Sequence, residues 1–130
     1  MATTPVTLKV DGFKEREVLG FNYSFEQATD QEGQMSGIPR GGKITIRCKA
    51  YNDGNPDLLK WMLSPYLHKD GEIIFNDTIK GEKMKSIAFK KGYCVNFTES
   101  WEDNEGHTEE IEISCQEIAC GPVKFENAWK

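Results

Sequence analysis

Residues that commonly carry catalysis are sparse in this chain. A serine or cysteine nucleophile needs a positioned base, usually histidine, and the 130 residues include two, His68 and His107. Both are expected in exposed turns, His68 after a predicted helix and His107 in an acidic segment. Paired carboxylates are defined by their separation in space, so the 21 acidic residues by themselves predict no acid–base pair. We therefore expect no catalytic residues and a protein that is not an enzyme.

Four cysteines could hold a metal or form disulfides, but their spacing favours neither. No C-x-x-C pair occurs, and the spacing of Cys115 and Cys120 lies outside the usual zinc pattern. Each cysteine lies in or beside a strand-like run, as expected for small buried thiols in a reducing compartment. We expect free thiols and no metal or other cofactor at Cys48, Cys94, Cys115 and Cys120.

Two segments match ion-binding motifs only in part. Asp53–Asp57 opens like a calcium loop, but Leu58 stands where the loop needs glycine and Ser64 where it needs glutamate. Arg40–Lys43 faintly resembles a phosphate loop, but the residues after it alternate as in a strand and open no helix. Neither segment predicts a bound ion.

Composition excludes two classes of partner. The net charge of -5 and the pI of about 5.1 would repel a phosphate backbone, so we expect no nucleic acid. No run approaches the roughly 18 apolar residues of a membrane span, so we expect no membrane insertion.

Met1–Val10 lacks the pattern of a signal peptide, which predicts cytoplasmic synthesis. No break in composition divides residues 1–130, and we expect one domain.

Alternation of apolar and polar residues dominates the chain and predicts about seven strands. In the run that begins at Tyr93 the expected buried face is Tyr93, Val95 and Phe97. The phase changes before Ile118, which predicts a β-bulge near Gln116. The long runs are Glu17–Phe25, Lys43–Ala50, Tyr93–Trp101 and Glu110–Gln116; shorter ones are Val6–Val10, Glu72–Phe75 and Ser86–Lys90, with a turn at Asp103–His107 and a tail from Val123.

One helix interrupts the strands. Asn55 suits the N-cap, Pro56 the first helical position, and Asp57 the positive end of the helix dipole. Pro65 ends the helix after about two turns. The predicted buried stripe is Leu58, Leu59, Met62 and Leu63. Strands with one short helix indicate a mainly β fold, a barrel or sandwich with the helix on its outside.

Several segments, in order and spacing, closely resemble the TssD (Hcp) tube proteins of type VI secretion systems in their short Bacteroidetes form. The likeness runs from about Thr7 to Trp129. The segments are Leu8–Gly12, Val18–Phe25, Arg40–Ile44, Asp57–Leu63, Lys69–Ile73, Met84–Ile87 and Tyr93–Phe97.

The resemblance implies an Hcp-like β-barrel with one short flanking α-helix, related to phage tail tubes. It implies hexameric rings that stack into a hollow tube, which is expelled with effector proteins. The implied partners are other copies of the chain, effectors, and the spike, sheath and baseplate proteins. Such a protein is made in the cytoplasm and secreted by the machine without a signal peptide.

A hollow tube needs a water-filled channel, and polar strand faces can line one. The candidates for the lumen are the polar residues of three predicted strands: Lys43, Thr45, Arg47, Lys49, Asn96, Thr98, Glu110 and Glu112.

A long polar segment, Glu26–Gly42, has neither helical nor strand period and exceeds most connections in compact domains. It also contains apolar residues, which favours contact with another subunit. By resemblance it reaches from one ring toward the next. The predicted ring-stacking residues are Thr29, Asp30, Gln31, Glu32, Gln34, Met35 and Ile38.

Two other functions remain open from the residues alone. A monomeric barrel that binds a small ligand would need an empty apolar interior. An enzyme with an unrecognised carboxylate site would lose activity, without unfolding, when one or two acidic residues are replaced.

Overall fold

The computed structural model describes residues 6–27, 29–35, 40–50, 55–76, 83–104 and 106–126. Within them the chain forms seven strands and one short helix, which agrees with the prediction in number although not in every strand. The elements are β1 (Val6–Val10), β2 (Arg16–Glu26), β3 (Arg40–Lys49), α1 (Asp57–Met62), β4 (His68–Asn76), β5 (Lys83–Glu102), β6 (Gly106–Cys120) and β7 (Val123–Glu126).

The strands form an antiparallel sheet that closes on itself. Their order is β3-β2-β1-β4-β5-β6-β7, and an additional pairing of β3 with β6 joins the two sides. Strands β1 to β6 therefore make a closed barrel. Strand β7 extends the sheet beside Glu117–Cys120, on the β6 edge that β3 leaves free. The expected mainly β barrel with one helix is confirmed.

Alternating residues of the central strands fill the barrel. Ile44, Ile46 and Cys48 on β3 are fully buried, and Ile111 and Ile113 oppose two of them on β6. Each fully buried aliphatic side chain contributes about 1.5–3 kcal/mol of transfer free energy. This period of two is the reason that the sequence predicted these strands correctly.

The predicted bulge near Gln116 is wrong, although the change of phase is real. Cys115 and Ile118 are both buried, but the register of β5 with β6 stays constant from Glu117 to Ile113. No residue is therefore inserted in β6 there. Opposite this point Lys91 of β5 adopts a left-handed φ of 51°, and the register of β5 with β4 shifts between Lys69 and Gly71.

Strand β5 is one long strand rather than the two that were predicted. Its register shift lies between Cys94 and Asn96, which leaves Val95 as the bulged residue. Cys94 is consequently buried and Val95 is exposed, whereas the sequence placed Val95 on the buried face. One extra residue reverses the side that each following side chain takes, so Phe97 still packs against the core.

The helix begins one position later than expected. Pro56 is its N-cap, and Asn55 supports the start from outside by accepting a hydrogen bond from the Asp57 amide at 2.9 Å. The predicted apolar stripe is only partly correct. Leu58 and Trp61 are buried, and Met62 packs against the core; Leu59 and Leu63 are exposed.

Several element limits also differ from the predictions. β3 begins at Arg40, so the connection after β2 is shorter than Glu26–Gly42. The expected tail contains β7, and β4 begins at His68. His107 lies in β6 instead of the turn. In each case backbone pairing with a neighbouring strand extends an element beyond its alternating side chains.

Candidate lumen and assembly surfaces

The outer face of four neighbouring strands is polar. β2 pairs with β3, β3 with β6, and β6 with β5. Two rows of registered residues cross these strands: Asn22, Thr45, Glu112 and Asn96 in one, and Gly20, Arg47, Glu110 and Thr98 in the next. We call this surface the polar face.

All eight residues predicted for the lumen come together on this face. Those of β3 alternate with the buried Ile44, Ile46 and Cys48. Those of β5 and β6 are registered with β3 or with each other. None of the eight is buried. Sequence reasoning missed Asn22, Ser100 and Thr108, although the same alternation would have found them.

Opposite charges on the polar face lie on adjacent strands. Lys43 of β3 forms an ion pair with Glu112 of β6, with 3.7 Å between the Nζ and Oε1 atoms. Arg47 lies directly opposite Glu110 across the same strand pair. The basic residues Lys43, Arg47 and Lys49 lie along β3, and acidic residues lie along β6. The face therefore carries mixed charge and has no apolar centre.

The polar face is bounded by β2 on one side and by β5 on the other. Among the described residues, part of the outer edge of each of these strands has no neighbouring strand. β1 pairs with β2 only at Arg16 and Glu17, and β4 pairs with β5 only as far as Tyr93. Beyond those points, each strand is hydrogen-bonded on one side only, within the chain as described. Unpaired strand edges are sites where another chain can add.

Each free edge carries exposed apolar side chains. The register of β2 shifts between Val18 and Gly20, and the bulged residue, Leu19, is 45% exposed. The corresponding bulge on β5 exposes Val95 to 41%. Sequence reasoning assigned Val95 to the core, because alternation alone cannot show where a bulge falls.

The connection after β2 contains a compact turn. Asp30 Oδ1 accepts hydrogen bonds from the amides of Glu32 and Gln34 at 2.9 and 3.0 Å, and Thr29 bridges to Met35. All the predicted stacking residues from Thr29 to Met35 are exposed, Met35 to 68%. Ile38 lies outside the described residues.

A buried ion pair lies where β2 and β6 approach α1. The Arg16 guanidinium donates to the carboxylate of Glu109, and both side chains are almost completely buried. Arg16 also donates to Asn55 Oδ1 at 3.2 Å, the same oxygen that receives the Asp57 amide. The ion pair thus links the barrel to the start of the helix.

The four cysteines are free thiols, three of them buried. Burial raises the pKa of Cys48 and of Cys115 to about 12, and that of Cys94 to about 11. For Cys48 the nearby Arg16 lowers the pKa in part, and Glu109 raises it. A thiol with a raised pKa is a poor nucleophile and metal ligand at neutral pH.

Each histidine contacts one side chain of a neighbouring strand. His107 Nε2 lies 2.6 Å from Glu99 Oε2 on the surface, and His68 packs edge-on against Tyr93. No cluster of three metal-ligating side chains occurs within the described residues. No helix in that part of the chain is long and apolar enough to span a membrane.

A family model for the hemolysin coregulated protein Hcp (TssD) matches residues 2–130 of this chain. The chain belongs to the Hcp (TssD) family. A comparison with curated proteins gave no match. The resemblance seen in the sequence is therefore confirmed by an independent match over almost the whole chain.

Solved Hcp structures have the same barrel. Hcp1 from Flavobacterium johnsoniae shares 31% identity and superposes with a TM-score of 0.87, over 94% of this chain and 98% of that one. Hcp1 from E. coli, at 16% identity, covers 98% and 100% with a TM-score of 0.78. Secreted Hcp3 from Pseudomonas aeruginosa, at 15%, covers 97% and 100% with a TM-score of 0.64. The last two show a common fold.

This Hcp protein is a subunit of the type VI secretion tube, as the sequence resemblance implied. The hexameric ring is the assembly that characterises the family. The alternative of a monomeric ligand-binding barrel is not favoured, because the barrel interior is filled by aliphatic and aromatic side chains.

Proposed function

We propose that the polar face lines the channel of the tube and that the free edges of β2 and β5 join neighbouring subunits within a ring. The observation that carries this proposal is the position of the polar face between two strand edges without partners. When β2 of one subunit adds to β5 of the next, the unpaired stretches of both strands gain a partner. The polar faces then form one continuous wall.

The edges also supply apolar contact. In a ring, one heterologous interface is used repeatedly, so each subunit contributes one β2 edge and one β5 edge. Leu19 and Val95 would be covered at this interface. Replacing either with a charged residue, Leu19→Lys or Val95→Lys, should shift rings toward monomers in light scattering. Val123→Lys, a charge placed at an apolar side chain that is 70% exposed on β7, is the matched control.

Labelling of single cysteines tests the channel assignment. Thr45→Cys and Thr98→Cys should react in intact rings with a small maleimide and be protected from one too large to enter the channel. Lys60→Cys, on the exposed side of α1, should react with both. The native thiols are a low background because three are buried. Rapid reaction of Thr45→Cys with the large reagent would overturn the assignment.

The turn from Thr29 to Met35 is proposed to contact the next ring. It joins β2 to β3, two strands of the polar face, so it projects from an end of the proposed channel wall. Its polar surface with one exposed methionine suits an interface that forms between complete rings. Residues 36–39 lie outside the described part of the connection.

We also propose that the tube contacts the spike, sheath and baseplate proteins and carries effector proteins. Membership of the Hcp family supports these partners. We propose that the protein acts by its shape rather than by catalysis, and that it leaves the cytoplasm through the secretion system. Export that persists only in cells with a functional sheath would test this route.

A further inference from the structure

Arg47 and Glu110 form a pair of exposed opposite charges at the centre of the polar face. They are registered partners on β3 and β6. Neither side chain forms an ion pair in the part of the chain that is described, whereas the neighbouring Lys43 and Glu112 pair with each other. One cation and one anion therefore remain available to a ligand at adjacent positions.

Three shallow depressions meet at this pair. Their volumes are about 280, 210 and 140 Å³. Glu110 lines all three, and Arg47 lines two. Two further carboxylates, Glu102 and Glu112, also line the depressions. Half of the remaining lining residues carry hydroxyl or amide groups, which can donate and accept hydrogen bonds: Asn22, Thr45, Asn96, Thr98, Ser100 and Thr108.

We propose that this Arg47–Glu110 site binds an extended polypeptide segment that carries one acidic and one basic side chain two residues apart. The proposal rests on the proposed function, in which cargo passes along this wall. The guanidinium of Arg47 would bind the carboxylate in a bidentate manner, and Glu110 would accept from the basic side chain. The surrounding hydroxyl and amide groups would bind the peptide backbone.

The dimensions of the site suit such a segment. Strands in a sheet lie about 4.8 Å apart, so the four strands of the polar face span roughly 14 Å. An extended peptide rises about 3.3 Å per residue, and alternate side chains point to the same side. About four residues therefore cross the face, and side chains two residues apart reach adjacent charged strands.

The charges disfavour a nucleic acid at the same place. A phosphate backbone could pair with Arg47, but it would also lie against Glu110 and Glu112, where like charges repel. Lys43 is already paired with Glu112, which further reduces the attraction for a polyanion. Binding of a nucleic acid is therefore tested beside binding of the peptide in the experiment described below.

Fluorescence anisotropy with the assembled protein tests the site. The probe is a labelled, Gly/Ser-rich peptide of about ten residues that contains one Asp-Ser-Lys segment. Arg47→Glu and Glu110→Lys should each weaken its binding about tenfold, because each replaces an attraction with a repulsion. The double variant R47E/E110K should recover binding, because it retains one charge of each sign and the peptide can lie in the reverse direction.

Matched controls separate the site from general charge effects. Lys60→Glu and Glu126→Lys make the same changes of charge at exposed positions outside the polar face, and they should bind the peptide like the original protein. A peptide with Asn-Ser-Gln in place of Asp-Ser-Lys should bind about tenfold more weakly. The site lies within one subunit, so binding can be measured on rings and on any variant that remains monomeric.

Three results would overturn the proposal. The first is that Arg47→Glu and Glu110→Lys bind the peptide as tightly as the controls do, and the second is that the two peptides bind equally well. The third is that a single-stranded oligonucleotide binds more tightly than the peptide at the same salt concentration. The size-selective labelling of Thr45→Cys requires no ligand. The channel assignment can therefore succeed where the peptide site fails, and the two failures are distinguishable.

Discussion

Arg16 and Glu109 lie 93 positions apart in the sequence and form an ion pair inside the protein, with side chains that are 3% and 5% exposed. Because Arg16 also binds Asn55 Oδ1, the pair ties β2, β6 and the start of α1 together. Burial of two charges is tolerated only when both remain paired and hydrogen-bonded.

We expect Arg16→Met to lower the free energy of unfolding by about 3–5 kcal/mol, because it leaves the Glu109 carboxylate buried without its cation. The double variant R16M/E109L should be more stable than Arg16→Met, since it removes the unpaired charge as well. Urea denaturation measures both. The exposed pair of Lys9 and Glu15 is the control: Lys9→Met should cost less than about 1 kcal/mol. Equal losses at the two sites would contradict the role of burial.

The buried thiols predict how stability depends on pH. Folding raises the pKa of Cys94 to about 11 and of Cys48 and Cys115 to about 12, from the ordinary thiol value of 9.0. The thiol ionises first in the unfolded chain, so the unfolded state binds fewer protons above pH 9.0. Stability from these groups is complete below that pH and falls as pH rises toward about 11–12. The melting temperature of Cys115→Val should therefore decrease less with rising pH than that of the original protein.

Reductant should leave the protein unchanged, because its cysteines are free. The melting temperature and the ring population should be the same with and without dithiothreitol. A large decrease in melting temperature on reduction of freshly purified protein would instead reveal a stabilising disulfide.

Phe89 packs against two strand glycines. A Cβ added at Gly92 would come within 2.8 Å of Ile113 Cγ2 and of the Phe89 ring, and one at Gly71 would come within 2.8 Å of the Lys9 carbonyl oxygen. Gly92→Ala should therefore lower the free energy of unfolding by about 1–3 kcal/mol through overpacking. Gly20→Ala is the control, because its Cβ would meet Arg47 Cβ at an ordinary 3.7 Å. Unchanged stability of Gly92→Ala in urea would contradict this packing.

The turn after β2 should matter for stacking more than for folding. Replacing residues 29–38 with a short Gly-Ser linker should preserve the barrel and the rings but shorten the tubes seen by negative-stain microscopy and stop secretion. Its turn is held mainly by hydrogen bonds to Asp30, so the barrel loses little packing. Met35→Ser should weaken stacking in the same direction, and Val123→Ser is the control at another exposed apolar position. Long tubes from the shortened protein would contradict the assignment.

The sequence by itself determined the class of fold and the composition of the polar face. Alternation along Lys43–Ala50 separates Ile44 and Ile46 from Lys43 and Thr45, because side chains of a strand point to opposite sides. That rule is local, so it holds without knowledge of the partner strand. Family resemblance supplied the tube, which no local rule could provide.

Tertiary structure alone decided where the alternation is interrupted and which distant residues meet. The bulges at Leu19 and Val95 depend on the register between strands, which is fixed by pairing over long sequence separations. The ion pair of Arg16 with Glu109, and the opposition of Arg47 to Glu110, likewise arise only when the barrel closes. Propensity and periodicity describe one segment at a time, whereas these contacts depend on how segments are paired.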